Sequence, residues 1–264
     1  MIDLIIPMYN CLDTIDKTLN SIYCQDRKDL YKIILVDDCS SCDYTSVLDK
    51  YSKSLDITYL RLTQNYGPGI ARQYGIDHSN SKYIMFIDAD DLLYNANSII
   101  CLYNKICTGL DYVSSLTYNE YSKTTSCNSG DLHGKMYSRD FILQNNIRFN
   151  DSRFHEDNAF NSLVLLNNPS KSFIDSIVYI YSYNKKSLTK SNENEEFYRL
   201  EIYIKNMKYV IDTASINKCK SELIKEYIER KYSYLSNYYN NLDKDKKEIL
   251  NKWLEDNNLK VISI

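Results

Sequence analysis

The first 90 residues contain four short, almost continuously apolar runs, and segments with helical spacing separate them. The apolar runs lie at 2–6, 31–36, 57–62 and 82–87, and the helical segments at 12–24, 43–54 and 69–79. Strands that are apolar at nearly every position are buried on both faces, and a repeated strand–helix order places them in a parallel sheet with right-handed crossovers. The pattern predicts an α/β fold whose first strand ends at Pro7.

From residue 111 onwards the pattern is looser. Strand-like segments lie at 112–118 and 174–183, with a helical segment at about 156–167 between them. We therefore expect one α/β domain made of two halves, followed by a helical subdomain. The predicted boundaries are 1–110, 111–191 and 192–264.

The last part of the chain is charged and helical, with two apolar stripes. One stripe comprises Phe197, Leu200, Ile204, Met207 and Ile211, and the other Leu223, Ile224, Tyr227, Ile228 and Leu235. Stripes at this spacing indicate helices packed on the α/β body. A basic, aromatic helix surface also suits the surface of a membrane, and the same helices could form a homodimer contact, so both partners stay open.

Composition excludes several classes of protein. The net charge is −3 and the pI about 5.7, so no overall basic field indicates nucleic acid or an anionic membrane. We expect no signal peptide and no membrane span, because no run approaches the ~20 apolar residues that a span needs. Eight cysteines without a secretory signal indicate reduced thiols in the cytoplasm. A zinc site at Cys39 and Cys42 would need two further ligands at suitable spacing, and a redox dithiol would need a thioredoxin-like context. The sequence pattern provides neither.

An acidic cluster follows the fourth apolar run. The segment YIMFIDADD ends in Asp88, Ala89, Asp90 and Asp91. Crowded carboxylates repel one another unless a cation or a hydrogen-bonding ligand neutralises them. Because side chains alternate along a strand, Asp88 and Asp90 lean the same way and form a cradle for a hard divalent cation. The alternative is an acidic turn that caps a helix beginning near Asn95.

Other polar residues follow the neighbouring strands. In parallel sheets ligands bind at the carboxyl ends of the strands. The residues at this position are Pro7, Met8, Tyr9, Asn10, Asp37, Asp38, Asp88, Ala89 and Asp90. Their accumulation at one edge favours a ligand site over a helix cap.

Five stretches, taken in order, resemble the family 2 glycosyltransferases of the GT-A fold. They are DLIIPMYN (3–10), ILVDDCS (34–40), QNYGPGIARQYGI (64–76), FIDADD (86–91) and FHEDNAF (154–160). The resemblance covers roughly residues 1–190 and leaves the C-terminal part uncovered. It implies a GT-A (Rossmann-like), mainly parallel sheet flanked by helices and an inverting enzyme that uses a nucleotide-sugar.

The resemblance implies specific donor contacts. Pro7 and Tyr9 would line the base pocket, and Asp38 would accept the N3–H of uracil. Arg72 would lie near the phosphates, unless it is a solvated helix charge. The remaining donor-site positions are Asn10, Asp37, Asn65, Gly67, Asp88, Ala89 and Lys135.

The resemblance also implies a divalent cation, Mn²⁺ or Mg²⁺. Asp90 would be the direct ligand, and Asp88 would lie on the metal and ribose side. No histidine follows His155, so the late histidine that some relatives supply is missing. A backbone group, an asparagine or water would then complete the shell.

The acceptor side is implied by the segment FHEDNAF. Asp157 resembles the catalytic base, with Glu156 beside it, although acidic residues also suit an ordinary helix N-terminus. A carboxylate that takes the proton of an acceptor hydroxyl accelerates attack by roughly 10²–10⁴-fold. The loop at 181–191, with Lys185 and Lys186, would fold over the diphosphate.

We therefore expect an inverting, metal-dependent hexosyltransferase. It would move a hexose or N-acetylhexosamine from a UDP-sugar to an acceptor hydroxyl in surface glycan or cell-wall polymer synthesis. It would be cytoplasmic, with a peripheral contact at the inner face of the membrane left open. Three alternatives remain: a nucleotidyltransferase, a non-catalytic sugar-nucleotide-binding module, and a glycosyltransferase that modifies phage DNA or a protein.

Overall fold

The computed structural model describes residues 1–184 and 193–262. Its strands are β1 (Ile2–Met8), β2 (Tyr31–Asp37), β3 (Ile57–Arg61), β4 (Tyr83–Phe86), β5 (Leu92–Leu93), β6 (Tyr112–Asn119), β7 (Thr124–Ser126), β8 (Lys135–Ser138) and β9 (Lys171–Tyr181). Its helices are α1 (Leu12–Tyr23), α2 (Thr45–Tyr51), α3 (Pro68–His78), α4 (Ser98–Ile106), α5 (Arg139–Gln144), α6 (Glu156–Leu166), α7 (Glu193–Ile216), α8 (Ser221–Asn240) and α9 (Lys244–Asp256). The predicted order of strands and helices is confirmed, although α2 is shorter than its predicted range.

The strands form one sheet in the order β3-β2-β1-β4-β8-β6-β9-β5, and β7 pairs with β6. The first four strands are parallel, as the apolar runs predict. The second half is mixed, because β8 is antiparallel to both β4 and β6. In the same half, β6 and β9 are parallel to each other.

The prediction that Pro7 ends the first strand is wrong. β1 continues to Met8, and Pro7 pairs with Val36 of β2. On the other side of β1, the pairing with β4 ends at Ile5, opposite Phe86. Pro7 therefore has one neighbouring strand, and a proline without an N–H is tolerated at such edge-like positions.

The C-terminal helices pack on the α/β body. In the first predicted stripe, Phe197, Leu200, Ile204 and Met207 are buried, and they belong to the same apolar cluster as Phe160 of α6. The apolar stripes therefore form core. No helix in the described ranges is both long and apolar enough to span a bilayer.

Candidate active site

The candidate site lies where β1, β2 and β4 end. Met8 at the end of β1 pairs with Asp37 at the end of β2, and Asp88 comes two residues after β4. The topology thereby places carboxylates from residues 37 to 91 along one margin of the sheet. We call Asp37, Asp38, Asp88, Asp90 and Asp91 the acidic edge.

Asp37 and Asp38 differ in their contacts. The Asp37 side chain is wholly buried and accepts hydrogen bonds from Ser40 N (2.8 Å), Tyr59 OH (2.7 Å) and Arg61 Nη1 (2.7 Å). Asp37 was predicted to contact the donor, but these bonds give it a structural role at the end of β2.

Asp38 holds the next loop instead. Its two carboxylate oxygens accept hydrogen bonds from the backbone N–H groups of Tyr66 (2.7 Å) and Gly67 (2.8 Å). Burial raises the pKa of Asp38, and the two backbone bonds oppose that shift. A carboxylate oxygen has more than one lone pair, so Asp38 can still accept a hydrogen bond from a ligand.

The residues after β1 form a turn against the loop that follows β2. Tyr9 is 54% exposed, and Asn10 adopts a left-handed backbone with φ 48°. The Asn10 side-chain oxygen accepts hydrogen bonds from Ser41 N (2.8 Å) and Ser41 Oγ (3.0 Å). The turn leaves the Tyr9 side chain exposed, whereas Pro7 is half-buried.

Arg72 bridges the acidic edge and α6. Its Nη2 donates to Asp88 Oδ1 (2.6 Å) and its Nη1 to Glu156 Oε1 (2.7 Å), and its side chain is 7% exposed. Burial raises the pKa of Asp88, but the Arg72 charge and a hydrogen bond from His133 outweigh it and hold that pKa well below its usual range. One guanidinium thereby fixes two carboxylates that lie 68 positions apart in the sequence.

A glycine allows α3 and the start of α6 to approach. A Cβ atom on Gly69 would lie 2.9 Å from the Asn150 carbonyl oxygen and 3.0 Å from Glu156 Cγ. Any larger residue would therefore push α3 away from α6 and lengthen the Arg72–Glu156 contact.

His133 was not among the predicted site residues. Its Nε2 lies 3.4 Å from Asp88 Oδ2 and 3.6 Å from Asp91 Oδ2, and its ring stacks on Tyr179 at 4.9 Å. Burial lowers the pKa of His133, but the bond with Asp88 and the nearby carboxylates raise it to about 9. One sequence signal was available, since His133 lies two residues before Lys135, a predicted donor-site position.

Asp90 and Asp91 have different neighbours. Asp91 is buried and accepts from Tyr179 OH (2.9 Å) and Ser182 N (2.8 Å), and burial raises its pKa to about 8. Asp90 is half-buried and accepts from Asn184 Nδ2 (2.8 Å). Burial raises the pKa of Asp90, and the Asn184 bond opposes that shift. Asp91 therefore belongs to the scaffold, whereas Asp90 is more open.

Two sets of residues at the acidic edge suit a divalent cation. One ligand atom each from Asp88, Asp91 and His133 lies within 4.8 Å of the others. The second set, Asp88 with Asp90, is the pair that the sequence predicted. Carboxylate oxygens and an imidazole are acceptable donors to Mn²⁺, and carboxylates to Mg²⁺, so the donor chemistry fits.

The predicted base lies in the first turn of α6. The helix begins at Glu156 after His155, which has a left-handed backbone with φ 61°. Asp157 is half-buried, and its Oδ1 accepts from Asn158 N (2.6 Å). Burial raises the pKa of Glu156 to about 7, although the Arg72 charge opposes the shift. The structure thus brings Asp157 close to the Arg72 bridge.

Lys135 does not face the open margin of the sheet. Its side chain is wholly buried, and its ammonium donates to the backbone oxygens of Asn128 (2.7 Å) and Asp131 (2.6 Å) and to the Asp131 carboxylate. This corrects the expectation that Lys135 contacts the donor sugar. The residue instead braces the loop that carries His133. Lys185 and Lys186 lie outside the described residues.

Several buried polar atoms near the site have no partner within the described ranges. They are Asn65 Oδ1, Arg72 Nε and Ser182 Oγ. Buried polar groups are normally hydrogen-bonded, so these atoms indicate a place where a polar ligand or water completes the structure. Asn65 and Arg72 are both predicted donor-site residues.

The sequence model described as "Glycosyl transferase family 2" matches residues 3–167. A poly(ribitol-phosphate) beta-N-acetylglucosaminyltransferase, TarS of Staphylococcus aureus, is 23% identical over 254 residues, which cover 87% of this chain and 44% of TarS. A cholesterol galactosyltransferase of Borreliella burgdorferi is 24% identical, covering 89% of this chain and 74% of the relative. The chain thus spans less than half the length of TarS.

Solved structures support the fold. TarS residues 1–349 in complex with UDP-GlcNAc superpose with a TM-score of 0.80 at 18% identity, covering 97% of this chain and 80% of that one. The mannosyltransferase PcManGT from Pyrobaculum calidifontis, in complex with GDP-Man and Mn²⁺, gives a TM-score of 0.63 at 15% identity, covering 98% and 81%. The predicted α/β architecture with a helical C-terminal part is confirmed.

Proposed function

This chain belongs to the family 2 glycosyl transferases, and we propose on that basis that it moves a hexose or N-acetylhexosamine from a UDP-sugar to an acceptor hydroxyl with inversion. The acceptor would be a surface or cell-wall polymer, and the similarity to a poly(ribitol-phosphate) beta-N-acetylglucosaminyltransferase supports a polymeric acceptor. The observation that carries the proposal is the buried Arg72 bridge between Asp88 and Glu156, since it ties a donor-side carboxylate to the first turn of α6, where the predicted base Asp157 follows Glu156.

The donor would lie along the acidic edge. Tyr9 offers an exposed ring for stacking against the base, and Asp38 offers an acceptor for the N3–H of uracil. The unpartnered Asn65 Oδ1 and Arg72 Nε supply further polar contacts beside this path. These features together favour a nucleotide over an uncharged sugar.

A divalent cation would be held by Asp88 with Asp90, or by Asp88, Asp91 and His133. When bound, such an ion neutralises charge on the departing diphosphate. Of the two sets, Asp90 offers the freer carboxylate, because both oxygens of Asp91 already accept hydrogen bonds. We propose Asp90 as the direct ligand.

Asp157 would act as the general base. Its Oδ1 accepts from Asn158 N, whereas its Oδ2 accepts no hydrogen bond from the described residues and is available to a hydroxyl. The carboxylate takes the hydroxyl proton while the hydroxyl oxygen bonds to the anomeric carbon. The bond from that carbon to the diphosphate oxygen breaks on the opposite face, and UDP leaves with the electron pair.

The test is nucleoside-diphosphate release from UDP-, GDP- and dTDP-sugars, with Mn²⁺ or with EDTA. Wild type is compared with Asp157→Asn, and Asp151→Asn serves as the control because Asp151 is an exposed carboxylate on the segment before α6. We expect release from one UDP-sugar, a loss of roughly 10²–10⁴-fold in Asp157→Asn with unchanged UDP binding, and no loss in the control.

Three results would contradict the proposal. If calorimetry detects no binding of any nucleotide, the donor site does not exist. If Asp157→Asn keeps full turnover, the chemistry is that of a nucleotidyltransferase or uses another base. UDP binding without turnover towards any glycan, protein or DNA acceptor would favour a non-catalytic module.

A further inference from the structure

An open cavity lies on the side of α6 that carries Asn158. It has a volume of about 220 Å³ and is lined by residues of α6, α7, α8 and the loop at 128–130. Its walls include Asn158, Tyr203, Arg230 and Lys231. One water molecule takes about 30 Å³ of liquid volume, so the cavity has room for a small polyatomic group. We call it the basic cavity.

Lys231 is a buried cation with little compensation. It is 7% exposed, its ammonium donates to Asn158 Oδ1, and its Nζ lies 5.0 Å from the centre of the Tyr203 ring. An ammonium has three donors, and no carboxylate in the described ranges forms an ion pair with it. Burial and the neighbouring Arg230 charge lower the pKa of Lys231 to about 8. A buried positive charge is costly unless an anion or further acceptors approach it.

Arg230 adds a second positive charge to the same wall. Its side chain is exposed and forms no ion pair within the described ranges. Two adjacent cations match a doubly charged anion, and a guanidinium binds phosphate oxygens in a two-pronged geometry. A neutral sugar would leave both charges uncompensated.

The geometry of α6 connects this cavity to the candidate base. Successive residues of an α-helix turn by about 100°, so residues two apart face nearly opposite directions. Glu156 faces Arg72, whereas Asn158 faces Lys231 and the backbone at Gly130. Asp157 lies between them, and it attracts Lys231 electrostatically. A group bound in the basic cavity therefore lies on the side of Asp157 away from the acidic edge.

We propose that the basic cavity binds a phosphate group of the acceptor and so presents a neighbouring hydroxyl to Asp157. This inference rests on the proposed transferase function and adds a substrate class, a phosphate-bearing polyol or sugar. Arg230 and Lys231 bind the phosphate, and Asn158 positions the Lys231 ammonium.

The test is ³¹P NMR titration with glycerol 3-phosphate in saturating UDP, which keeps the probe out of the donor site. Neutral glycerol, observed by ligand ¹H NMR, serves as the uncharged counterpart. We expect binding of glycerol 3-phosphate that is weakened about five- to tenfold in Arg230→Gln, because one charge-assisted contact is lost. Lys225→Gln is the matched control, since Lys225 lies on the same helix with its side chain 79% exposed.

Binding that Arg230→Gln leaves unchanged, or that UDP abolishes, would overturn the inference. Lys231→Met provides a second variant, checked by its Tm, and should weaken binding at least as much. The result is separable from the transferase proposal, because binding requires no turnover. A chain that transfers sugar to neutral acceptors but binds no glycerol 3-phosphate would refute this inference alone.

Discussion

The acidic edge and the basic cavity lie on either side of Asp157. They carry opposite charges, and they differ in how those charges are compensated. At the acidic edge, Asp37, Asp88 and Asp91 lie beside the positive side chains of Arg61, Arg72 and His133, and Asp38 and Asp90 accept hydrogen bonds from amide N–H groups. In the basic cavity, Arg230 and Lys231 have no carboxylate ion-pair partner in the described ranges. One side carries its own counter-charges, whereas the other requires an anion from outside.

The two regions also differ in how the chain builds them. The acidic edge comes mainly from residues that directly follow strands, so the register of the sheet aligns them. The basic cavity joins residues from three helices and a loop, and its bond from Lys231 to Asn158 spans 73 positions. The acidic edge is therefore set largely by local sequence, and the basic cavity by packing of the helices.

The strongest test of this contrast is the loss of one arginine. Arg72→Gln leaves Asp88 and Glu156 without their shared cation, and breaking a buried pair costs about 3–5 kcal/mol. We expect that decrease in the free energy of unfolding, measured by urea denaturation, together with loss of UDP binding.

The matched control is Arg61→Gln. Arg61 pairs with Asp37, but its side chain is 47% exposed, and Asp37 keeps its bonds from Ser40 and Tyr59. Because Arg61 is about half exposed and Asp37 keeps these two hydrogen bonds, we expect a smaller loss of stability than in Arg72→Gln. Equal losses in the two variants would mean that the acidic edge does not depend on one buried bridge.

The next test separates the two candidate metal sets. Mn²⁺ with UDP should stabilise the wild type, by about 2.7 kcal/mol at 100 times the dissociation constant. We expect Asp90→Asn to lose this gain and His133→Gln to keep it, because both oxygens of Asp91, which shares the second set with His133, already accept hydrogen bonds. Thermal unfolding with Mn²⁺ or EDTA measures the gain. If only His133→Gln loses it, the set of Asp88, Asp91 and His133 binds the ion.

The smallest expected effect is a pH dependence from the basic cavity. Lys231 has a pKa of about 8 in the folded chain against 10.5 when unperturbed, so the folded state binds fewer protons between these values. The free energy of unfolding therefore gains a contribution from Lys231 as the pH rises from 8 to 10.5. Denaturation of wild type and Lys231→Met at pH 7.5 and pH 10 should show a smaller difference between the two pH values in the variant. An identical difference would mean that Lys231 is not buried as a cation.

Much of the donor side was predictable from sequence. The apolar runs identified β1 to β4, and the residues after them identified the acidic edge, because both patterns depend on neighbouring positions. The predictions differ from the structure where a polar side chain could contact either the donor or another part of the chain. Asp37 and Lys135 were assigned to the donor by pattern, but in the folded chain their polar atoms are occupied by Arg61 and Asp131.

Other features came only from tertiary structure. The sequence by itself determined the α/β order and the carboxylates at the strand ends, since strand periodicity and strand ends are local properties; the base at Asp157 stays a prediction. Three features depend on which helices and loops pack together. They are the ion pair of Arg72 with Glu156, the position of His133 beside Asp88, and the burial of Lys231. Apolar burial drives that packing without regard to distance along the chain, and it brought these charges into contact.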